Sequence, residues 1–216
     1  YMLSVYNYMA SGVLLTGIVA MLFAPYARDV LINEAGTGMS GLGWIIMFAP
    51  LGFVMAMSFG LHRMQTGTLQ MLFWAFATVM GLSMSTIFIT FTGASIAQTF
   101  FAVAVAFLSL SLWGYTTSRD LTGMGTFLMV GLIAVIGASL VNLLLGSSLL
   151  QMALSVVGVI VFAGLTAWDT QRLKSEYLVY GNSQAAEKLA IMGALSLYLN
   201  LINMFQLLLG LMGERE

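Results

Sequence analysis

The chain lacks cysteine altogether and is poor in charged residues. Its 216 residues include 7 Lys and Arg, 8 Asp and Glu and 1 His, so 7% are charged, whereas a soluble domain carries about 25% charged residues. Without cysteine the chain has no disulfide, no catalytic thiol and no Cys-ligated metal, and its redox compartment stays open. The formal net charge of −1 predicts no nucleic-acid partner.

Apolar sequence takes the place of the missing charge. Hydrophobic residues make up 60% of the chain, which predicts an integral membrane protein. Seven apolar runs are each long enough to cross about 30 Å of hydrocarbon at about 1.5 Å per residue. They cover Ser4–Ala24, Gly41–Leu61, Thr68–Phe91, Ile96–Tyr115, Gly123–Leu145, Leu149–Trp168 and Leu189–Met212. No stretch remains for a soluble domain, so we expect one seven-helix transmembrane domain over residues 1–216.

The breaks between the runs carry turn-forming residues, such as Pro25 in APYARD, and the longest break lies between Lys174 and Lys188. The connections after the second, fourth and sixth runs hold five of the seven Lys and Arg residues. This bias predicts that the N-terminus and these connections are cytoplasmic and that the C-terminus is outside. The chain begins at Tyr1 without a basic segment or cleavage site, so we expect residues upstream and identify no signal peptide.

Several chemistries of membrane proteins need residues that this chain does not offer in the right place. A retinal Schiff base requires a lysine inside the membrane, but Lys174 and Lys188 lie in one connection. Intramembrane proteolysis requires a serine with a buried histidine, an H-E-x-x-H zinc site or two membrane aspartates. The single histidine, His62, stands at a helix end beside Arg63. No phosphate-binding loop or selectivity-filter sequence is present, so we expect no enzymatic activity.

Asp169 is the one acidic residue that closes an apolar run, in VFAGLTAWDTQRLK, while the others fall in connections or in the tail. A charged side chain in a membrane helix is costly, and such residues usually face a bundle interior or an aqueous cavity. Two interpretations stay open. Asp169 is either a functional carboxylate or a structural one that pairs with Arg172, three residues later on the same helix.

The last run carries a stripe of polar side chains in the otherwise apolar sequence ALSLYLNLINMFQ. The stripe consists of Ser196, Asn200, Asn203 and Gln206, at offsets of 0, 4, 7 and 10, which fall on one helix face. This polar lining would be costly toward lipid, so we expect the other helices to enclose the last one. Hydrogen bonds that only hold the helices together are the alternative interpretation.

Three segments of the second half resemble a known family. They are GYTTSRDLTGMG (Gly114–Gly125), VIVFAGLTAWDTQRLK (Val159–Lys174) and GALSLYLNLINMF (Gly193–Phe205). In this order, and together with the seven apolar runs, they resemble the Bax inhibitor-1 family, also called the transmembrane Bax inhibitor motif proteins, and most closely its bacterial members. The resemblance implies an all-α protein of the bacterial inner membrane, with six helices surrounding a central seventh.

The resemblance also implies a pH-sensitive calcium leak across the membrane. In the family, two aspartates on the sixth and seventh helices form a hydrogen-bonded pair within the pore. An arginine of the second helix acts as a latch, a cationic side chain that holds the pair in the closed state. The two aspartates correspond to Asp169 and Asn200, and the latch corresponds to Arg63, in the least similar part of the chain.

Asn200 departs from the family pattern. Two close carboxylates share a proton because both cannot be charged together at low cost, whereas an aspartate with an asparagine cannot do this. The amide can still donate a hydrogen bond to an ionised Asp169, so the site keeps its shape and loses one charge. With the boundaries above, contact between the two residues requires the sixth helix to continue toward Lys174 or the seventh helix to start well before its membrane entry.

Two functional hypotheses follow. The first is a passive, proton-modulated calcium leak in which Asp169 senses cations and protons and ligates the metal, Asn200 is its polar partner, and Arg63 is the latch. One carboxylate with amides and waters would bind calcium weakly, so the expected partners are lipid, calcium ions and protons, without a tightly bound cofactor. The second is a non-transporting interaction protein that regulates quality-control proteases or cell survival, with a structural polar core.

Overall fold

Helices dominate the computed structural model, which describes residues 1–33, 36, 38–181 and 183–215. These residues form no strand, and two isolated bridges pair Ile32 with Met39 and Phe91 with Arg215. The helices are α1 (Met2–Leu31), α2 (Gly41–Gly60), α3 (Thr66–Met84), α4 (Ile87–Thr90), α5 (Gly93–Thr116), α6 (Thr122–Leu145), α7 (Ser148–Tyr180) and α8 (Gln184–Met212).

Within the described part of the chain, seven helical stretches are long and apolar enough to cross a membrane. α3 and α4 follow each other within one stretch, Thr66–Thr90, and each of the other helices supplies one. The sixth and seventh transmembrane stretches are therefore α7 and α8. The predicted all-α architecture with seven transmembrane helices is confirmed.

Two predicted helix ends are wrong for related reasons. The first run predicts a break at Pro25, but α1 continues through Pro25 to Leu31, because membrane helices tolerate proline where neighbouring groups satisfy the freed backbone. The sixth run ends at Trp168, but α7 continues to Tyr180. An apolar run measures the thickness of the hydrocarbon, whereas a helix can extend beyond it or tilt within it.

The segment from Lys174 to Lys188, expected as the longest connection, is mostly helical. α7 runs to Tyr180 and α8 begins at Gln184, so residues 181–183 join them. Gly181 ends α7 with a φ of 57°, a left-handed conformation that glycine adopts without steric penalty. With its 33 residues, α7 is about 50 Å long. Asp169 consequently lies well inside a continuous helix.

The chain divides into two compact units. The first contains Tyr1–Gly93 and Tyr180–Tyr198 with Arg215, and the second contains Ala94–Val179 and Leu199–Glu214. α8 therefore contributes its first half to one unit and its second half to the other. The expectation of a single domain over residues 1–216 stays a prediction.

In the first unit, α8 is held by a buried chain of hydroxyl groups. Tyr198 is fully buried, and its hydroxyl oxygen lies 2.6 Å from Thr16 Oγ1 of α1. Thr16 donates its only hydroxyl hydrogen to the Ala77 carbonyl of α3 at 2.8 Å, so Tyr198 must be the donor to Thr16. The rings of Phe73 and Phe76 pack edge-on against Tyr198, with centroids 6.5 Å and 5.1 Å away.

A polar cavity of about 390 Å³ lies at one end of the first unit. The start of α1 (Tyr1), the start of α3 (Thr66), the α7–α8 connection (Ser183) and the first turn of α8 (Glu187) all contribute to its wall. Gln70 and Tyr8 also line it, and Gln70 Nε2 donates to the Tyr8 hydroxyl at 2.5 Å. The N-terminus and the connections after the second and sixth spans therefore lie at the same end of this unit.

α8 is the most enclosed of the spans. Half of its apolar window is buried, compared with a third or less in every other span of the described chain. It contacts α1 and α3 through Tyr198 in the first unit, and α5 and α7 through Phe205 and Asn200 in the second. The prediction that other helices enclose the last one is confirmed.

Candidate functional site around Asp169

Two glycines let neighbouring helices approach α7 beside Asp169. A Cβ atom on Gly114 of α5 would overlap the Ala167 carbonyl oxygen, and one on Gly125 of α6 would overlap the Trp168 ring. Larger residues at these positions would force the helices apart. Small residues commonly allow such close packing of membrane helices. Here they fix the backbone on the N-terminal side of Asp169.

Asp169 is 3% exposed, and both of its carboxylate oxygens have partners. Asn200 of α8 is 4% exposed and donates from Nδ2 to Asp169 Oδ2 at 2.8 Å. Arg172 places Nη2 2.8 Å from Asp169 Oδ1, which is the pairing that the spacing of three residues allows. The two predicted residues meet, and both expected shifts are present: α7 continues past Trp168, and α8 begins at Gln184, before the predicted start at Leu189.

Arg172 is the more accessible member of the ion pair. Its side chain is 40% exposed, whereas that of Asp169 is 5% exposed. The guanidinium carbon lies 5.1 Å from the centroid of the Trp168 ring, and Nε lies 3.8 Å from Glu176 Oε1. Nε is buried and has no hydrogen-bond partner among the described residues. Arg172 therefore binds one carboxylate while standing beside a second.

The charges of Asp169 and Arg172 cancel, and the Asn200 amide adds none. In the part of the chain that the structure describes, no group of three or more His, Asp or Glu side chains is arranged as a metal site. Calcium takes about six to eight oxygen ligands, so a calcium ion at Asp169 would keep most of its water. The arrangement therefore suits weak and transient cation binding better than storage.

Thr170, next to Asp169, connects α7 to α5. Its Oγ1 donates to the Thr166 carbonyl at 2.8 Å and lies 2.9 Å from Ser111 Oγ. Either hydroxyl group can be the donor in the second contact. The hydroxyl chain holds α5 against the turn of α7 that carries Asp169.

Two further side chains anchor the same stretch of α7: Gln171 binds the α5–α6 connection, and Lys174 binds the last turn of α5. Gln171 Oε1 accepts from the Leu121 N–H at 2.9 Å, and its Nε2 donates to the Arg119 carbonyl at 2.8 Å. Lys174 Nζ donates to the Tyr115 carbonyl at 2.9 Å and lies 4.7 Å from the centre of the Tyr115 ring. These anchors were missed in the sequence, which gives no local signal for them.

The predicted latch lies in the other unit. Arg63 is exposed in the turn that follows α2, where its N–H donates to the Gly60 carbonyl at 2.9 Å. The arginine that binds Asp169 within the second unit is Arg172. The role of Arg63 as a latch stays a prediction.

The polar stripe of α8 is divided between the units. Ser196 is half-buried in the first unit. In the second unit, Asn200 bonds to α7, whereas Asn203 donates to the Leu199 carbonyl of its own helix at 2.8 Å. Gln206 is exposed. The two amides thus differ: the Asn200 side chain connects two helices, whereas the Asn203 side chain bonds to the backbone of its own helix.

Known proteins are similar to the chain over its whole length. The family model described as "Inhibitor of apoptosis-promoting Bax1" matches residues 1–216. An uncharacterized protein of Rickettsia prowazekii is 48% identical over 218 residues, which cover 100% of this chain and 90% of that protein. The inner membrane protein YbhL of Escherichia coli is 42% identical over 218 residues, which cover 100% of this chain and 92% of that protein. An uncharacterized membrane protein of Streptococcus pyogenes is 32% identical over 213 residues, which cover 98% of this chain and 91% of that protein.

Proposed function

The chain belongs to the Bax inhibitor-1 family, and from this premise we propose that it is a passive calcium leak pathway of a bacterial inner membrane, modulated by protons. Asp169 is the carboxylate that senses the cation and the proton, and Asn200 is its polar partner. Asn203 and Gln206 of α8, with Ser196, form the polar lining, and Arg63 is the latch.

The observation that carries this proposal is the buried carboxylate of Asp169. It lies in a helix long enough to span the membrane, and its Oδ2 accepts a hydrogen bond from the buried Asn200 amide. An ionisable residue in such a helix is costly, and it commonly marks an ion or proton pathway. Weak binding by one carboxylate suits conduction, because an ion must leave the site as readily as it arrives.

A calcium-flux assay with the purified full chain in proteoliposomes tests this function. We expect a leak in the parent that falls to the level of protein-free liposomes in Asp169→Asn, because that variant keeps the size of the side chain and removes its charge. Asp120→Asn is the matched control, since Asp120 is an exposed carboxylate in the α5–α6 connection. It should leave the leak unchanged.

The alternative function is a non-transporting interaction protein that regulates quality-control proteases or cell survival. The observation that favours it is the bonding of Gln171, whose carbonyl oxygen and amide nitrogen both bind backbone groups, as in a static scaffold. If the parent carries no more calcium than protein-free liposomes at any pH, the leak is excluded. The Asp169–Asn200 contact then serves the packing of α7 against α8.

In the proposed orientation, the N-terminus and the α7–α8 connection face the cytoplasm, and the C-terminus faces outward. The distribution of Lys and Arg supports this orientation, as does the shared cavity of Tyr1, Thr66 and Ser183. The lack of native cysteine makes single-cysteine labelling free of background. In spheroplasts, an impermeant maleimide should label Ser148→Cys, at the start of α7, and leave Ser183→Cys unlabelled. The reverse result would invert the orientation.

A further inference from the structure

We propose that Arg172 is a tethered competitor for the cation at Asp169, which moves toward Glu176 when a cation binds. The inference rests on the proposed function, because it takes Asp169 as the cation site of the leak. It assigns the competition to an arginine of α7 itself.

The first observation is that the guanidinium occupies a position that a metal ion would need. Arg172 Nη2 lies 2.8 Å from Asp169 Oδ1, and the Asn200 amide holds Oδ2. Calcium binds carboxylate oxygens at about 2.3–2.6 Å. An ion that ligates Oδ1 would lie where the guanidinium now lies, and its charge would repel Arg172. Occupation by the ion and by Arg172 is therefore mutually exclusive.

The second observation is the unequal accessibility of the two partners. The side chain of Asp169 is 5% exposed and is fixed by Asn200, whereas the side chain of Arg172 is 40% exposed. A long, half-exposed arginine can move its charged end toward water while its stem stays packed. Exchange at this site consequently proceeds by movement of Arg172, with Asp169 remaining in place.

The third observation is a second carboxylate within reach of the same guanidinium. Glu176 Oε1 lies 3.8 Å from Arg172 Nε, beyond a hydrogen bond, and Nε has no hydrogen-bond partner among the described residues. A buried donor without a partner is unfavourable. A shift of Arg172 toward Glu176 would satisfy Nε and free Oδ1 of Asp169.

The spacing on α7 makes this exchange local. Arg172 is three residues after Asp169 and four residues before Glu176, so both carboxylates lie on the helix face that Arg172 can reach. In the resting state, Arg172 neutralises Asp169. In the occupied state, the cation neutralises Asp169 and Arg172 neutralises Glu176. Asp169, the more buried of the two carboxylates, keeps a counter-charge in both states.

Two measurements on the purified full chain test the proposal. The first is calcium flux in proteoliposomes. The second is terbium binding in detergent, followed as terbium luminescence excited through Trp168, whose ring lies against the Arg172 guanidinium. Trp168→Phe should abolish the part of the luminescence that arises at this site. Terbium reports binding whether or not the protein conducts calcium.

Arg172→Gln should increase both the terbium affinity and the calcium leak by a factor on the order of ten, because the tethered cation is removed. Glu176→Gln should change both in the opposite direction, because Arg172 loses its alternative partner. Arg119→Gln, an exposed arginine of the same unit, should match the parent. Asp169→Asn combined with Arg172→Gln should remove the gain of Arg172→Gln.

The outcomes separate this proposal from the proposed function. If the parent and every variant carry no calcium, but Arg172→Gln and Glu176→Gln shift terbium binding oppositely, the leak is excluded and the competition is established. If Asp169→Asn abolishes the leak while Arg172→Gln leaves both measurements at parent values, the leak stands and the competition is wrong. Shifts of terbium binding and calcium leak in the same direction in Arg172→Gln and Glu176→Gln would also overturn the proposed competition. A purely structural role of Arg172 does not predict opposite shifts in these two variants.

Discussion

Two buried polar contacts hold α8, and they differ in how fully their hydrogen-bond donors are satisfied. In the first unit, each hydroxyl hydrogen in the Tyr198–Thr16–Ala77 chain has an acceptor, and the chain contains no charge. In the second unit, Asn200 binds a carboxylate that also pairs with Arg172, which is half-exposed and has a buried Nε with no hydrogen-bond partner in the described part of the chain. The uncharged Tyr198–Thr16–Ala77 chain, in which every hydroxyl hydrogen is bonded, stabilises a single arrangement. The Asp169–Arg172 ion pair leaves Nε of Arg172 without a hydrogen bond among the described residues, so a second position of Arg172 is accessible. The first contact should therefore affect stability, and the second should affect exchange of ions.

The largest expected effect is the loss of the Tyr198 ring. Tyr198→Ala should lower the free energy of unfolding by about 3–5 kcal/mol, because it leaves a cavity beside Phe73 and Phe76. Unfolding of the purified protein in mixed micelles measures this change. The calcium leak per folded molecule should match the parent.

Tyr198→Phe is the matched control, since it keeps the ring and removes only the hydroxyl. Its expected cost is about 0.6 kcal/mol, the average for a hydrogen bond between membrane helices. A folded Tyr198→Ala protein that has lost its leak would contradict the division between a structural contact and an exchangeable one.

The second-largest effect is expected at Gln171. It sharpens the comparison because it is close to Asp169 but uncharged, and both its amide oxygen and its amide nitrogen form hydrogen bonds. Gln171→Ala removes two hydrogen bonds to the α5–α6 connection, so it should destabilise the protein by roughly 1–2 kcal/mol in the same unfolding assay. Gln98→Ala removes an exposed glutamine of α5 and should have little effect. Equal stability of the two variants would show that the connection is held by other contacts.

Asn200→Asp should convert the site into the carboxylate pair that the family pattern implies. Its oxygens would lie close to Asp169 Oδ2, which Asn200 now contacts at 2.8 Å, and like charges so close disfavour simultaneous ionisation. Arg172 and Glu176 face the same region. The leak should therefore vary by about tenfold between about pH 6 and pH 8, more than in the parent.

Proteoliposomes with matched protein orientation provide this measurement. Ser118→Asp adds a carboxylate to the exposed α5–α6 connection and should keep the parent profile. Identical pH profiles for Asn200→Asp and the parent would mean that positions 169 and 200 do not act as one electrostatic site.

The smallest expected effect concerns Asp120, an exposed carboxylate. The Thr122 hydroxyl and the Thr122 N–H donate to it, and these hydrogen bonds lower the pKa of Asp120 below its usual value of 3.8. A lowered folded-state pKa means that the stabilisation is present above the unfolded value and is lost as the pH falls below it. Asp120→Asn should slightly flatten the pH dependence of unfolding as the pH falls below about 4. If Asp120→Asn changed the free energy of unfolding more than Gln171→Ala does, the order of expected effects would be wrong.

The sequence predicts much of the fold because hydrocarbon thickness imposes a length on each apolar run. It also predicts the partners of Asp169, Arg172 from helical spacing and Asn200 from the family resemblance. It could not predict Gln171, Lys174 or Ser111 as anchors, because these contacts depend on how α5 and the α5–α6 connection lie against α7. Nothing in the local sequence records that register. The helix ends after Pro25 and Trp168 were wrong because hydropathy does not detect helix beyond the hydrocarbon.

The brevity of the connection between α7 and α8 has a consequence for biosynthesis. Residues 181–183 are all that separate the two helices, so both emerge from the ribosome in quick succession as a helical hairpin. Asp169 and Asn200 can bond before either has partitioned into lipid. We expect the insertion machinery to transfer a bonded pair with Arg172 as its counter-charge, which would reduce the penalty of a few kcal/mol for a lone aspartate in a membrane helix at the step where the chain first leaves water.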